Sequence, residues 1–469
     1  MAYFAHPADR RFASGYLGEA ANPASPRLVF VPGVMGSALV DAGSREVLWG
    51  TNAMLGWAPR MGQWISAMGQ GNGIDNPGNV VPQGFTRLTF PLRSIAEILA
   101  MATLSPVAIL ALRTAVRQFG LRNVEIDPYG DALRYFAADL GPQNVLAFSY
   151  DWRLGNAYSA ALLKRAIERK WGDSLADPAR PLTIVGHSMG GIVSRHYIEQ
   201  LGGSLVVRNL VTVGTPHDGA PDALLAPSNL PALTRFLMPL DVAGWTAPLA
   251  LPPLLPLALA MPLLHLFADR FLRELQSLLL HFASLYELLP GFPFVRAGSP
   301  TAAPEALASS YAALVRDACA TAAQRPPRLA CVRPIAELRR PAEPLRAAVH
   351  SLPASVNYLA IANHILPTTV GCLRSPAGAL AAIQAPCGDG TVPAVSAVLP
   401  HAANARNRFL ETGLAHSDLL RDRRVLQTCL NVARNQAGIP VPGVVEVAPA
   451  CASRPSLALG MMRSAATAA

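Results

Sequence analysis

The chain has 469 residues, enough for one enlarged α/β domain with insertions or for two or three average domains. Hydrophobic residues make up 51% and charged residues only 15%, which excludes a disordered chain and implies apolar surface buried under a cap or turned to lipid. The net charge of +9 rests on arginines dispersed among Ala and Pro, without the Lys/Arg clusters that track phosphates, so nucleic acid is not an expected partner.

In chain order, residues 1–25 lack the basic segment and apolar run of a secretory signal and are read as an N-terminal extension. That reading favours a cytoplasmic or peripheral-membrane protein. The first half of the core, 26–221, opens with a strand-like run, PRLVFVPG (26–33). An insertion over about 41–125 follows, with Trp49, Trp57 and Trp64, a Gly-rich loop and an apolar stretch. Helical periodicity over 130–140, 157–171 and 190–201 then alternates with strand-like runs at 143–152, 181–188 and 207–216. A cap or lid insertion is expected over 222–350. Its window 247–268 carries no charge, but five prolines argue against a spanning helix and for a cap element, a lid or a membrane-docking surface. The second half of the core, 351–437, has strand-like runs at 355–364 and 407–413 and a helix over 417–433, ahead of an Ala/Pro-rich tail, 438–469, read as poorly ordered. Short β-branched runs alternating with helices predict an α/β fold, a mostly parallel sheet with helices on both faces. Six cysteines lie at 319, 331, 372, 387, 429 and 451. Cys319 with Cys331 and Cys372 with Cys387 are the candidate short-loop disulfides, and free thiols are expected without a secretory signal.

Gly186-His187-Ser188-Met189-Gly190 fits G-x-S-x-G, lies after the apolar run PLTIV, and leads into the helix GGIVSRHYIEQL. This is the strand–turn–helix setting in which a serine becomes a nucleophile; a turn serine capping a helix is the bland alternative. The base and its acid should follow later in the chain, the acid first. His187 and His196 lie too close in sequence, His364 reads as a packing residue, and His401 precedes the last strand. His416, after RFLETG and at the start of HSDLL, has the right place, with helix capping as its alternative. Asp389 in CGDGTVP is the candidate acid, ahead of Asp218, Asp241 and Asp418; an Asx turn is its alternative role. The oxyanion hole requires the N–H of Met189 and one from the loop VPGVMGS, with Val34 first and Met35 second. Substrate-binding candidates are Met35, Trp49 and His217. Neither a metal nor a cofactor is required.

Seven stretches in order, VFVPGVMGSALVD with VLWG, FSYDWRLGN, IVGHSMGGIVSRHY, GTPHDGAP, SLYELLP, GDGTVPAVS and HSDLL, resemble the lecithin–cholesterol acyltransferase family and its phospholipid–diacylglycerol acyltransferase and lysosomal phospholipase A relatives. The resemblance implies an α/β-hydrolase core with cap and lid segments, a triad of Ser188, Asp389 and His416, and oxyanion donors at Val34 and Met189. It also implies a phospholipid-like acyl donor and peripheral contact with a lipid surface. Asp151 and Arg153 would form a buried structural pair. The family's secreted animal members carry an early disulfide, whereas this chain has no cysteine before Cys319. The expected activity is lipid acyl hydrolysis or O-acyl transfer through an acyl-serine. The alternatives are a carboxylesterase or triacylglycerol lipase without transferase activity, and a non-catalytic lipid-binding protein on a hydrolase scaffold.

Overall fold

The computed structural model describes residues 25–51, 60–71, 73–90, 124–226, 278–279, 281–306, 352–376, 380–399 and 404–446. Strand β1 (Arg27–Val31) is buried at every position. Leu28 and Phe30 point into one layer of the core and Val29 and Val31 into the other, as expected of a strand covered on both faces. Strands β2 (Ser37–Asp41) and β3 (Val47–Trp49), helix α1 (Met61–Met68) and strand β4 (Val80–Phe85) follow. The three strands form an antiparallel sheet in the order β3-β2-β4. A short ladder of β5 (Leu88–Phe90) and β6 (Val124–Ile126) stands beside them. The described part of the 41–125 insertion therefore combines short antiparallel strands with one helix.

Helix α2 (Gly130–Leu140), strand β7 (Val145–Ala147), helix α3 (Asn156–Trp171), strand β8 (Leu182–His187), helix α4 (Met189–Gln200) and strand β9 (Val207–Val213) then alternate. Helices α5 (Pro221–Leu225) and α6 (Ala283–Glu287) and strand β10 (Val295–Ala297) follow. The core resumes with β11 (Asn357–Ala362), a hairpin of β12 (Leu366–Arg374) and β13 (Leu380–Gly388), α7 (Ala394–Ala397) and β14 (Ala405–Leu410). A 3-10 turn (His416–Arg421), helix α8 (Arg423–Ala433) and β15 (Val444–Val445) complete it.

The central sheet has seven strands in the order β15-β14-β11-β9-β8-β1-β7. Its pairings are parallel except β14 with the edge strand β15. Leu163 and Ile167 of α3 and Ile192 and Val193 of α4 pack on one face, with Val29 and Ile184. Phe136 of α2 and Val425, Leu426 and Cys429 of α8 pack on the other, with Phe30 and Val211. The loops after β1, β8, β9, β11 and β14 consequently gather at the carboxyl edge of the sheet, where parallel α/β sheets hold their ligands.

Three expectations change. The predicted helix over 417–433 is two pieces, because Asp422 ends the 3-10 turn and its carboxylate caps α8 by accepting the Arg424 N–H at 2.8 Å. Part of the expected tail is built into the sheet, with Val444 and Val445 adding a strand against Leu410 and Phe409; 447–469 lies outside the described residues. Cys387 is disulfide-bonded to a partner outside the described residues, while Cys372 and Cys429 keep their thiols. The register of the β12/β13 hairpin explains why Cys372 and Cys387 do not join. Cys372 faces Ala382, and Cys387 lies about five residue pairs away, near Pro367. That is roughly 17 Å of strand, against the 7 Å that a disulfide tolerates. After β11 the hairpin of β12 and β13 returns the chain to the sheet edge at Asp389. The window 247–268 and His401 lie outside the described residues; among those described, no helix is long and apolar enough to cross a membrane.

Candidate active site

Ser188 is the single residue between β8 and α4. Its backbone sits at φ 52°, ψ −129°, a sparsely populated conformation for a residue with a side chain. The bend is held from both sides: the Ser188 N–H donates to the Val213 carbonyl at 2.9 Å, and the Ser188 carbonyl accepts the Gly191 N–H at 3.0 Å. Strand and helix approach so closely that a Cβ at Gly186 would lie 2.6 Å from the Gly191 Cα, and one at Gly190 would overlap the Val31 carbonyl. This local sequence thus permits a turn that presents the serine at the sheet edge and at the amino terminus of α4.

His416 stands at the first position of its 3-10 turn, after β14. Its Nδ1 lies 2.7 Å from Asp389 Oδ2, and its backbone N–H donates to the Asp389 carbonyl at 2.9 Å. Asp389 is buried, and its second oxygen, Oδ1, accepts the N–H groups of Thr391 (3.0 Å) and Val392 (2.7 Å). One oxygen of Asp389 makes the Asx-turn contacts and the other makes the contact with His416 Nδ1. With Nδ1 committed to the carboxylate, Nε2 is the His416 nitrogen left to take a proton. Its ring lies against that of His187, the residue before Ser188, with centroids 4.8 Å apart.

The loop after β1 closes over the serine. A Cβ on Gly33 would sit 2.8 Å from Ser188 Cβ and 3.3 Å from its Oγ. Gly36 N–H donates to the Gly33 carbonyl at 3.1 Å, closing a turn with Val34 and Met35 at its centre and Met35 at φ 61°. Pro32 O accepts the Tyr150 hydroxyl at 2.9 Å, and Met35 O accepts the Trp49 indole N–H at 2.9 Å and the Thr86 hydroxyl at 2.5 Å. Met189 is the first residue of α4, so its N–H belongs to the turn that finds no carbonyl within the helix.

Other predicted residues take different places. Asp151 and Arg153 form a buried bidentate pair, Nε to Oδ1 at 2.9 Å and Nη2 to Oδ2 at 2.6 Å. The guanidinium also donates to the Met68 (2.6 Å) and Pro77 (3.0 Å) carbonyls, tying the Gly-rich loop to the core. Trp49 is buried edge-on to Trp152, with its N–H spent on Met35. His217 is buried with Nε2 3.0 Å from the Thr212 hydroxyl and Nδ1 3.5 Å from Arg195 Nη1. Both of its ring nitrogens face protein groups, so its substrate-binding role is not supported by this geometry. Asn363 was not singled out by the sequence: its amide donates to the Thr412 (2.9 Å) and Leu414 (3.1 Å) carbonyls, fixing the loop that delivers His416. Tyr129 was likewise missed; its hydroxyl accepts the Gly33 N–H at 3.1 Å. Among the described residues, no group of three or more His, Cys, Asp or Glu is arranged to hold a metal ion.

A mostly parallel sheet, helices on both faces, and a serine at the bend between strand and helix define the α/β-hydrolase fold. Residues 91–225 match the PGAP1-like alpha/beta domain family. No curated protein matches the chain significantly. Among solved structures, the chain is similar to one described as the Tle4-Tli4 complex, with TM-score 0.50 and 15% identity over 88% of this chain and 98% of that one. It is also aligned with the mature lipase BlEst2 of Bacillus licheniformis, with TM-score 0.32 and 15% identity over 88% of this chain and 94% of that one.

Proposed function

We propose that the protein is a serine-dependent lipid acyl hydrolase or O-acyltransferase related to the lecithin–cholesterol acyltransferase family. The observation that carries this reading is the buried contact of 2.7 Å between His416 Nδ1 and Asp389 Oδ2, beside the strained Ser188 bend. The sequence motifs from VPGVMGS to HSDLL add the lipid-ester class.

In this reading Ser188 Oγ attacks the carbonyl carbon of a fatty-acyl ester while its proton passes to His416 Nε2. Asp389 stays ionised, holds the imidazole with its proton on Nδ1, and balances the imidazolium that forms. The tetrahedral oxyanion is met by the N–H groups of Val34 and Met189. Collapse expels the alcohol, which takes the proton from His416, and leaves an acyl-serine. Water or a second alcohol then gives a proton to His416 and attacks the acyl-serine; as the second tetrahedral intermediate collapses, His416 returns that proton to Ser188 Oγ and acid or new ester leaves. Residues 26–221 and 351–437 serve as the core in this proposal, and 222–350 as the cap.

A panel of phospholipid and triacylglycerol esters, each with and without a sterol or diacylglycerol acceptor, tests the reading against a Ser188→Ala blank. Ser188-dependent release of fatty acid supports the hydrolase, and acceptor ester at saturating acceptor supports the transferase. Free fatty acid alone under those conditions ends the transferase half. Absence of a fluorophosphonate adduct on Ser188 refutes the acyl-serine mechanism altogether.

A further inference from the structure

His187 precedes the nucleophile in sequence and is fully placed within protein. Its Nδ1 lies 3.0 Å from the Tyr129 hydroxyl, and its Nε2 lies 3.0 Å from the main-chain carbonyl of His416. The Tyr129 hydroxyl is also 3.1 Å from the Gly33 N–H. The two ends of this chain dictate every proton in it. The His416 carbonyl can only accept, so neutral His187 carries its proton on Nε2 and presents a lone pair at Nδ1. The tyrosine oxygen, which accepts the Gly33 N–H, therefore gives its own single proton to His187 Nδ1. The chain runs one way, from the turn over Ser188 to the backbone of the base.

We propose that Tyr129 and His187 are positioning residues, a hydrogen-bonded strut that sets the Val34 turn and His416 at a fixed separation across Ser188. The inference rests on the acyl-serine reading above. The strut has no slack, because its parts are packed as well as bonded. The Tyr129 ring lies against Phe30 and Phe85, with centroids at 5.2 and 5.8 Å, and His187 lies against His416 at 4.8 Å. Burial, with the neighbouring His416 opposing a second charge, lowers the His187 pKa to about 3. His187 thus stays neutral when His416 becomes an imidazolium, and the Nε2–H needed for the strut is kept. Burial likewise pushes the Tyr129 phenol well above its ordinary range, so the hydroxyl keeps the proton it gives to His187.

Tyr129→Phe removes the hydroxyl and leaves the aromatic packing. Active-site titration with a fluorophosphonate gives the number of competent serines, and the labelling rate per titrated site reports their reactivity. The expected result is a per-site rate and a kcat on a soluble short-chain ester lowered by about 10–100-fold, with KM within about twofold of the wild type. His187→Gln, whose amide can still donate to the His416 carbonyl, is expected to lose less than His187→Leu. The Tyr129→Phe/His187→Leu double variant should be no worse than the poorer single variant, because either change breaks the same strut. A merely structural role would lower the number of titratable serines and leave the rate per site at the wild-type value, which overturns the proposal. Should His187→Leu not fold, the Tyr129→Phe rate per site decides alone. A wild-type protein that forms no Ser188 adduct would instead overturn the acyl-serine reading, and the strut with it.

Discussion

Asp389 divides its two oxygens between two tasks, and the division makes its substitution by asparagine informative. Oδ1 receives two backbone N–H groups, from Thr391 and Val392, so an amide at this position keeps its carbonyl oxygen there. The NH2 group then faces His416 Nδ1, which must accept, and the histidine proton moves to Nε2. A histidine in that tautomer cannot take the serine proton. Asp389→Asn is therefore expected to lower kcat by about 10^4-fold with little change in KM or melting temperature. Hydrolysis of a soluble short-chain ester, alongside thermal denaturation, checks this, and a loss below about tenfold would count against the assigned role of Asp389. The residues proposed to carry the chemistry could be singled out from the sequence because they sit in strict local patterns: a serine within G-x-S-x-G between strand and helix, a Gly-flanked aspartate, and a histidine after the strand RFLETG. The residues that hold them in place carry no such signal. Tyr129 and Asn363 act through backbone groups 96 and about 50 residues away, contacts that only the folded sheet edge creates.

Among the elements, the loop 68–77 is tied to the core by a buried ion pair, in addition to the N–H groups that Gly155 and Ala283 give to the Ile74 and Gly73 carbonyls. Arg153 reaches from the turn before α3 to the carbonyls of Met68 and Pro77 while Asp151 neutralises it within the core. In Asp151→Ala the guanidinium keeps its carbonyl acceptors and loses its counter-charge. Leaving one partner of a buried pair alone costs about 3–5 kcal/mol. Urea denaturation should register that loss, and limited proteolysis should cut within 68–79 faster than in the wild type; unchanged stability would show that water reaches the arginine. The core strands were legible for the same reason that they are central: RLVFV, LTIVGH and VRNLVTV are short runs rich in Val, Leu and Ile, buried at every position except Arg208. The β12/β13 hairpin was not. LPTTVGCLR and LAAIQAPCG mix Pro, Gly, Ala and Cys without the strict alternation of a half-buried strand, and their ladder is interrupted by register shifts at Leu366/Pro367 and Thr369/Gly371. β15 escaped because two residues carry no periodicity, and it exists only as an addition to the edge of β14.

At the scale of the whole molecule, the fold keeps neutral several histidines that would be charged in the unfolded chain near pH 6. His217 is the clearest. Arg195 stands beside its Nδ1 and is itself paired with Glu199, while Nε2 faces the Thr212 hydroxyl. A guanidinium can only donate, so Nδ1 presents its lone pair and the proton is on Nε2. Burial first, and then the Arg195 charge, hold the His217 pKa well below its ordinary value. His187 is lowered to about 3 from 6.5, mainly by burial. Both groups bind fewer protons folded than unfolded as pH falls below about 6.5, so acid favours the unfolded chain. Their contribution to stability is complete above the unfolded value and is lost progressively as pH falls towards the folded one. Each such histidine adds up to about 1.4 kcal/mol per pH unit to the acid side of the stability profile. His217→Gln removes one of them without touching Ser188, Asp389 or His416. The free energy of unfolding, from urea titrations at pH 7, 6 and 5, should therefore decline less steeply in the variant, by about 1 kcal/mol between pH 6 and 5, whatever its stability at pH 7. Equal slopes would mean that His217 is protonated in the native protein, which would require Arg195 to have moved away from its ring.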